Sequence, residues 1–241
     1  MLMSDESADR EATYDDWSRM HGHIDPRTSV WIKGWVVLSH RIARPLSRLG
    51  VSPNVITVCG VVLTMTAVGI ATAGRWWPAL AALLIVVGAV LDGVDGALAA
   101  QRHSTGGWGT VLDTLADRCC DLLLVAMLIL LGAPLWSGIV IGVATLLLES
   151  VRATAQTTGM VGPGTLTVWE RPSRVVLAVL GAAGAAVLWW AGGWSAGRFG
   201  MTPDPRLYVT GLGALGAVLS VVGLIQLLVA IRPRVRDLPQ R

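Results

Sequence analysis

The sequence predicts an all-α membrane protein, with six transmembrane helices preceded by an N-terminal interfacial amphipathic helix. Three observations predict it. Hydrophobic residues make up 53% of the 241-residue chain and charged residues only 15%, whereas a soluble domain carries about 25% charge. Apolar runs long enough to cross a bilayer recur along the chain. Basic residues gather on alternate connections between those runs.

Residues 1–30 are polar and acidic, with Asp5, Glu6, Asp9, Glu11, Asp15 and Asp16 and no apolar run of the secretory kind. They are expected to form a polar cytoplasmic extension, disordered in part. Residues 31–49 mix apolar residues with Lys33, Arg41, Arg44 and Arg48. That mixture suits an amphipathic helix lying on the cytoplasmic leaflet, and equally a basic flank that only sets topology. Pro45 is expected to kink or divide it.

A helix needs roughly 20 residues to cross about 30 Å of hydrocarbon. Six stretches qualify: 54–74, 79–101, 110–132, 135–158, 173–193 and 207–231. Together they make a six-helix domain over residues 50–232, followed by a basic tail, 233–241. Trp76, Trp77, Trp136, Trp189, Trp190 and Trp194 lie near the proposed ends, the depth tryptophan prefers. Glycines inside the spans favour close helix approach.

Arg102 follows the second span, and Arg152, Arg171 and Arg174 flank the connection after the fourth. The tail holds Arg232, Arg234, Arg236 and Arg241, while the opposite connections hold only Arg75, Arg198 and Arg206. The positive-inside rule then puts both termini in the cytoplasm. Cys59, Cys119 and Cys120 have no zinc-like or disulfide-framework spacing and read as small apolar residues. Nothing points to nucleic acid.

The chemistry-bearing segment is 91–121. Asp92 and Asp95 end the second span, and Asp113 and Asp117 open the third. Spacings of three and four put each pair on one helical face. The connection 102–109 is short and rich in Ser, Thr and Gly, so the two helices form an antiparallel hairpin with all four acids at one depth. One Asp at a span's centre costs roughly 2.5–3.5 kcal/mol, and four unpaired ones on the order of 10 kcal/mol. Protonation or bound cations must relieve that cost. Carboxylates without His or Cys suit Mg²⁺ or Mn²⁺. Two such ions balance four carboxylates, and paired ions about 4 Å apart serve displacement at phosphorus.

Asp92, Asp95, Gly96, Ala99, Gly109, Asp113 and Asp117 fall in register with D-x2-D-G-x2-A-R-x8-G-x3-D-x3-D. The segment thus resembles the signature of the CDP-alcohol phosphatidyltransferases. Ser52-Pro53-Asn54 and Thr57 fit more weakly. One position departs: the family's Arg is Ala100, and Arg102 lies about 200° further round an ideal helix.

The resemblance implies a phospholipid-synthesis enzyme of the cell (plasma) membrane with a cytoplasmic active site. It implies transfer of a phosphatidyl group from a CDP-linked lipid, such as CDP-diacylglycerol, to an alcohol, with release of CMP. Asp92, Asp95, Asp113 and Asp117 would hold the metals, with Asp117 a shared ligand or the general base. Asn54, Thr57, Asp92, Gly96, Ala99, Arg102 and Gly109 would meet the CDP donor; Asn54 and Thr57 also suit a plain helix start. The D-R-x-x-D run at Asp117–Asp121 and the E-R-P-x-R run at Glu170–Arg174 resemble bacterial phosphatidylinositol-phosphate synthases. Arg152, Arg171 and Arg174 would then bind an anionic acceptor, inositol phosphate or glycerol phosphate, or else set topology while Glu149 and Glu170 tie up two of them. Asp121 can support the metal shell or pair with an arginine of another helix. A homodimer is implied as well.

Two other readings fit the acids. An intramembrane cation transporter would use them for its ion, but they sit at one end of two adjacent spans and no inverted repeat is present. A nucleotide-lipid-binding relative with impaired catalysis rests on Ala100.

Overall fold

In the computed structural model, residues 25–102, 107–160, 162–199 and 204–236 are described, with Glu11, Tyr14, Asp15 and Ser18 before them. They form seven α-helices and no strand. These are α1 (Val30–Arg48), α2 (Pro53–Ala71), α3 (Trp77–Gln101), α4 (Gly107–Leu131), α5 (Leu135–Thr157), α6 (Arg171–Phe199) and α7 (Pro205–Arg236).

Local chemistry sets the boundaries. Pro53, Pro78, Pro172 and Pro205 sit in first turns, where a missing N–H costs nothing and φ is already helical. The ends of α1 and α4 share one device. Gly50 (φ 78°) and Gly132 (φ 121°) take the left-handed turn. Their amides and those of Val51 and Ala133 then satisfy the last carbonyls, of Ser47, Leu46, Ile129 and Leu128.

α2, α3, α5, α6 and α7 are long and apolar enough to cross a membrane by length and composition. α4 is 25 residues long, but Asp113, Asp117, Arg118 and Asp121 keep it from meeting the same measure. The described residues therefore make an all-helical membrane protein with five such helices. α1 runs unbroken through Pro45 to Arg48, so Pro45 does not divide it. One turn from the helix end, its missing N–H removes only one late hydrogen bond. α7 likewise continues through Pro233, so the first residues of the expected tail are helical; residues 237–241 lie outside the described residues.

The core runs between the helices as small and branched side chains. Ala67, Ala71, Ala81 and Ile85 join α2 to α3, and Met127, Leu128, Ile141, Leu177, Ala182, Val209 and Leu227 tie α4 to α7. Large apolar side chains also face outward, including Val62, Leu83, Leu130, Leu147, Val187 and Val229, which suits a lipid surroundings. A second cluster of Ala43, Ile56, Val94 and Leu98 fastens α1 to α2 and α3. The α1–α3 crossing is close at Gly93, where a Cβ would lie 2.6 Å from Ser39 Oγ and 2.7 Å from Trp35 Nε1.

Before α1, part of the acidic extension is docked. Tyr14 is buried, with the Arg27 guanidinium 5.3 Å and the Lys33 ammonium 6.0 Å from its ring centre. Arg27 pairs with Glu11 and Asp15. This piece is held by packing and charge.

Candidate metal centre

α3 and α4 carry the acids. Asp92 and Asp95 come from the last turns of α3, and Asp113 from the second turn of α4. One carboxylate oxygen of each lies within 4.8 Å of the others. Asp95 is buried, Asp92 half-buried and Asp113 exposed. α2 supplies a support: Thr57 Oγ1 donates to Asp95 Oδ2 at 2.6 Å. Three carboxylates with no nitrogen or sulfur donor among them fit a hard divalent cation.

Asp117 is drawn in through a cation. Arg171, the first residue of α6, pairs with Asp92 Oδ1 at 2.8 Å and with Asp117. One guanidinium therefore bridges an acid of α3 and an acid of α4.

Around this cluster the backbone is open. Gly96 is exposed, with nothing within 4 Å of where a Cβ would be, and Gly109 faces only Asn54 Oδ1, at 3.6 Å from such a Cβ. Ala99 and Ala100 are half-buried on the last turn of α3. Arg102 donates to the Ser47 carbonyl of α1 at 3.0 Å, so that guanidinium ties α3 to α1. A cavity leads inward from Asp92 and Asp95 past Thr57, Thr64 and Cys120 to Ile85 and Leu124.

Deeper along α4 lies a charge network. Arg118 pairs with Asp121 at 2.9 Å and with Glu149 at 3.5 Å. Arg174 pairs with Asp121 and, at 2.5 Å, with Glu149. Arg152 meets Glu170 through two bonds of 2.9 and 2.7 Å. Arg118, Arg152 and Arg174 thus match Asp121, Glu149 and Glu170 charge for charge, the condition for burying ions in an apolar bundle. Burial alone would raise the Glu170 carboxyl, but bonds from Arg152 and Thr167 outweigh it and hold the group below its ordinary value.

The connection before α6 is anchored by Trp169. This side chain is 1% exposed, and its indole N–H donates to Thr145 Oγ1 at 2.8 Å. Beside it, Val168 N–H donates to Gln226 of α7. These anchors fix where Arg171 and Arg174 start.

Of the residues singled out in the sequence, the structure brings Asp92, Asp95 and Asp113 together and joins Asp117 to them through Arg171. Arg152 and Arg174 sit in the ion network, and Asn54 stands beside Gly109. The sequence reading missed Arg118 as the partner of Asp121 and Glu149, the crowding at Gly93, and the Trp169 anchor. An Arg three residues before an Asp in an apolar helix was a readable signal for the first. The other two are long-range contacts with no local signature.

Fold and site together define a helical membrane protein with a carboxylate-lined centre. The chain belongs to the CDP-alcohol phosphatidyltransferase family, whose model matches residues 50–197. Among its relatives is the phosphatidylinositol phosphate synthase of Mycobacteroides abscessus, 30% identical over 60% of this chain and 68% of that protein. The archaetidylinositol phosphate synthase of Pyrococcus horikoshii is 29% identical over 57% of this chain and 72% of that protein. Among solved structures, the Mycobacterium tuberculosis phosphatidylinositol phosphate synthase with CDP-DAG bound superposes with a TM-score of 0.62 at 25% identity, over 84% of this chain and 98% of that one. The same enzyme in complex with manganese and citrate gives 0.61 at 25% identity, over 84% and 93%.

Proposed function

We propose that this protein transfers a phosphatidyl group from CDP-diacylglycerol to a phosphorylated alcohol, inositol phosphate in the first instance, with release of CMP. The observation that carries the reading is the meeting of Asp92, Asp95 and Asp113 from two helices, in register with the family's aspartate pattern. Relatives named for phosphatidylinositol phosphate synthesis support the acceptor.

In this reading Asp92, Asp95, Asp113 and Asp117 hold Mg²⁺ or Mn²⁺, two ions for four carboxylates. Bound there, the ions neutralise charge on the phosphoryl oxygens and the departing CMP. Thr57 fixes the rotamer of Asp95. Gly96, Ala99 and Gly109 let the donor's diphosphate and nucleotide approach the backbone, with Asn54, Thr57 and Arg102 at the edge. Asp117 takes the proton of the acceptor hydroxyl. That oxygen bonds to the phosphorus bearing the diacylglycerol, and the phosphorus–oxygen bond to CMP breaks. Arg171 is the acceptor-side cation nearest the acids. Arg152 and Arg174 stand behind it, their guanidinium groups engaged by Glu170, Asp121 and Glu149, and add positive charge on the side the anion would approach.

The topology follows. α4 is the sixth span, tolerated because its acids meet metal and arginine. α1 lies along the cytoplasmic interface of the plasma membrane, both termini and the site face the cytoplasm, and two copies pair as a homodimer.

The test is CMP release from CDP-diacylglycerol by the purified full chain with Mg²⁺ or Mn²⁺ and a panel of acceptors, with products identified by mass. Inositol phosphate should give the phosphatidylinositol phosphate mass. CMP release with glycerol phosphate alone would move the acceptor assignment, and no release with any acceptor would favour the binding-only relative that Ala100 suggests.

A further inference from the structure

Arg171 stands apart from the other arginines of the site by the partners it has. Arg174 is 6% exposed and pairs with Asp121 and Glu149, and Arg152 is 13% exposed and pairs with Glu170 and Glu149. None of those acids belongs to the aspartate cluster. Arg171 pairs instead with Asp92 of that cluster and with Asp117, the fourth aspartate of the family pattern. Its side chain is also the more exposed, at 27%, so it has somewhere to go.

Its position argues the same way. Arg171 opens α6, and a cation at a helix N-terminus faces the positive end of the dipole. The attraction of Asp92 and Asp117 must outweigh that. Its backbone cannot drift, because Trp169 and Glu170 just before it are held by Thr145, Thr167 and Arg152. What remains mobile is a long side chain on a fixed base.

We infer that Arg171 is a built-in counter-ion that competes with the divalent cation for Asp92 and Asp117, so that metal binding releases its guanidinium towards the acceptor side. The inference rests on the proposed role of the aspartates as metal ligands. The physics is direct. The Asp92 carboxylate, paired with a guanidinium at 2.8 Å, would have to share its single negative charge with a divalent cation at about 2.1 Å, and the two positive charges repel at that range. Release sets an order of events. The cation enters first, Asp117 loses the partner that would hold its oxygens, and the freed guanidinium, with five donors, becomes available to an anionic acceptor.

The full chain in detergent is treated with phenylglyoxal, which labels free guanidinium groups, with and without saturating Mn²⁺, and labelled arginines are mapped by peptide mass. Arg171 should label several-fold faster with Mn²⁺ while Arg152 and Arg174 stay unchanged. In parallel, free Mn²⁺ is followed by electron paramagnetic resonance during titration of the wild type and Arg171→Gln. The variant should bind Mn²⁺ about tenfold more tightly, the equivalent of one charge-assisted hydrogen bond lost as a competitor. Unchanged or slower labelling of Arg171, or equal acceleration at all three arginines, overturns the inference on wild-type protein whatever the folding of the variant. Equal or weaker Mn²⁺ affinity in a folded Arg171→Gln overturns it too. If wild type binds no Mn²⁺ at all, the metal reading itself falls; Mn²⁺ binding with unaltered Arg171 sinks this inference alone.

Discussion

The Thr57 hydroxyl of α2 donates to Asp95 Oδ2 of α3 at 2.6 Å, joining a helix that carries no acid to the carboxylate cluster. The same hydroxyl lies 3.2 Å from the Pro53 carbonyl of its own helix. A threonine at this spot therefore has a helical fallback, and its single proton goes to the nearer, charged oxygen. Charge-assisted bonds of that length are the strong ones.

Thr57→Val keeps the shape of the side chain and removes the donor. Asp95 then loses the bond that fixes its rotamer, and Mn²⁺ affinity should fall roughly tenfold, as outer partners of metal ligands typically cost. Thr57→Ser should restore most of it. Titration with Mn²⁺, followed by paramagnetic resonance, reads both. A Thr57→Val protein that binds Mn²⁺ like the wild type would show that the bond is incidental.

Gly93 and Gly96 are one turn apart and should respond oppositely. A methyl at 93 meets Ser39 Oγ and Trp35 Nε1 at 2.6 and 2.7 Å, so Gly93→Ala must push α1 aside and should cost about 1–3 kcal/mol, as overpacking does. At Gly96 nothing lies within 4 Å. Gly96→Ala should leave the melting temperature alone and instead raise the KM for CDP-diacylglycerol. Thermal unfolding in detergent and donor kinetics separate the two, and equal melting temperatures for both variants would contradict the α1–α3 contact.

Two acids one turn apart on α4 should also part company. Asp117→Asn should lower CMP release by at least about 100-fold, the range of a lost general base, with little change in melting temperature. Asp121→Asn removes a carboxylate that holds Arg118 and Arg174. A buried arginine left short of a partner costs about 3 kcal/mol, so this variant should melt early. Normal turnover by Asp117→Asn would refute the base assignment.

How much of this was legible beforehand differs by kind of contact. The helices were legible because apolar runs of spanning length are a local signal. The meeting of Asp92 and Asp95 with Asp113 was legible because helical spacing fixes a face and a short connection fixes the partner helix, whereas Asp117 reaches them only through Arg171. The continuity of α1 through Pro45 was not, since a proline's effect depends on how near the helix end it falls. Nor was the destination of Arg171: three arginines around one connection look alike in sequence, and only the bundle decides that Arg174 goes down to Asp121 and Glu149 while Arg171 crosses to Asp92 and Asp117.

Glu170 gives the pH test. Its carboxyl is held below the ordinary value of 4.5, because bonds from Arg152 and Thr167 outweigh burial. A depressed native value means that the unfolded chain binds the proton more readily. The stabilisation is therefore complete above the unfolded value and drains away as pH falls through 4.5 towards the lower native one. Glu170→Gln cannot titrate and keeps a carbonyl for Thr167, but it leaves Arg152 with only the 3.9 Å contact to Glu149. Its melting temperature should lie below that of the wild type at neutral pH, and the gap should close as pH falls through 4.5 and on below the lower native value, where the wild type also loses its charge. Melting curves of both proteins from pH 7 to 3 in one detergent read this directly. A gap that stays constant over that range would mean that the Arg152–Glu170 pair is not what anchors the start of α6.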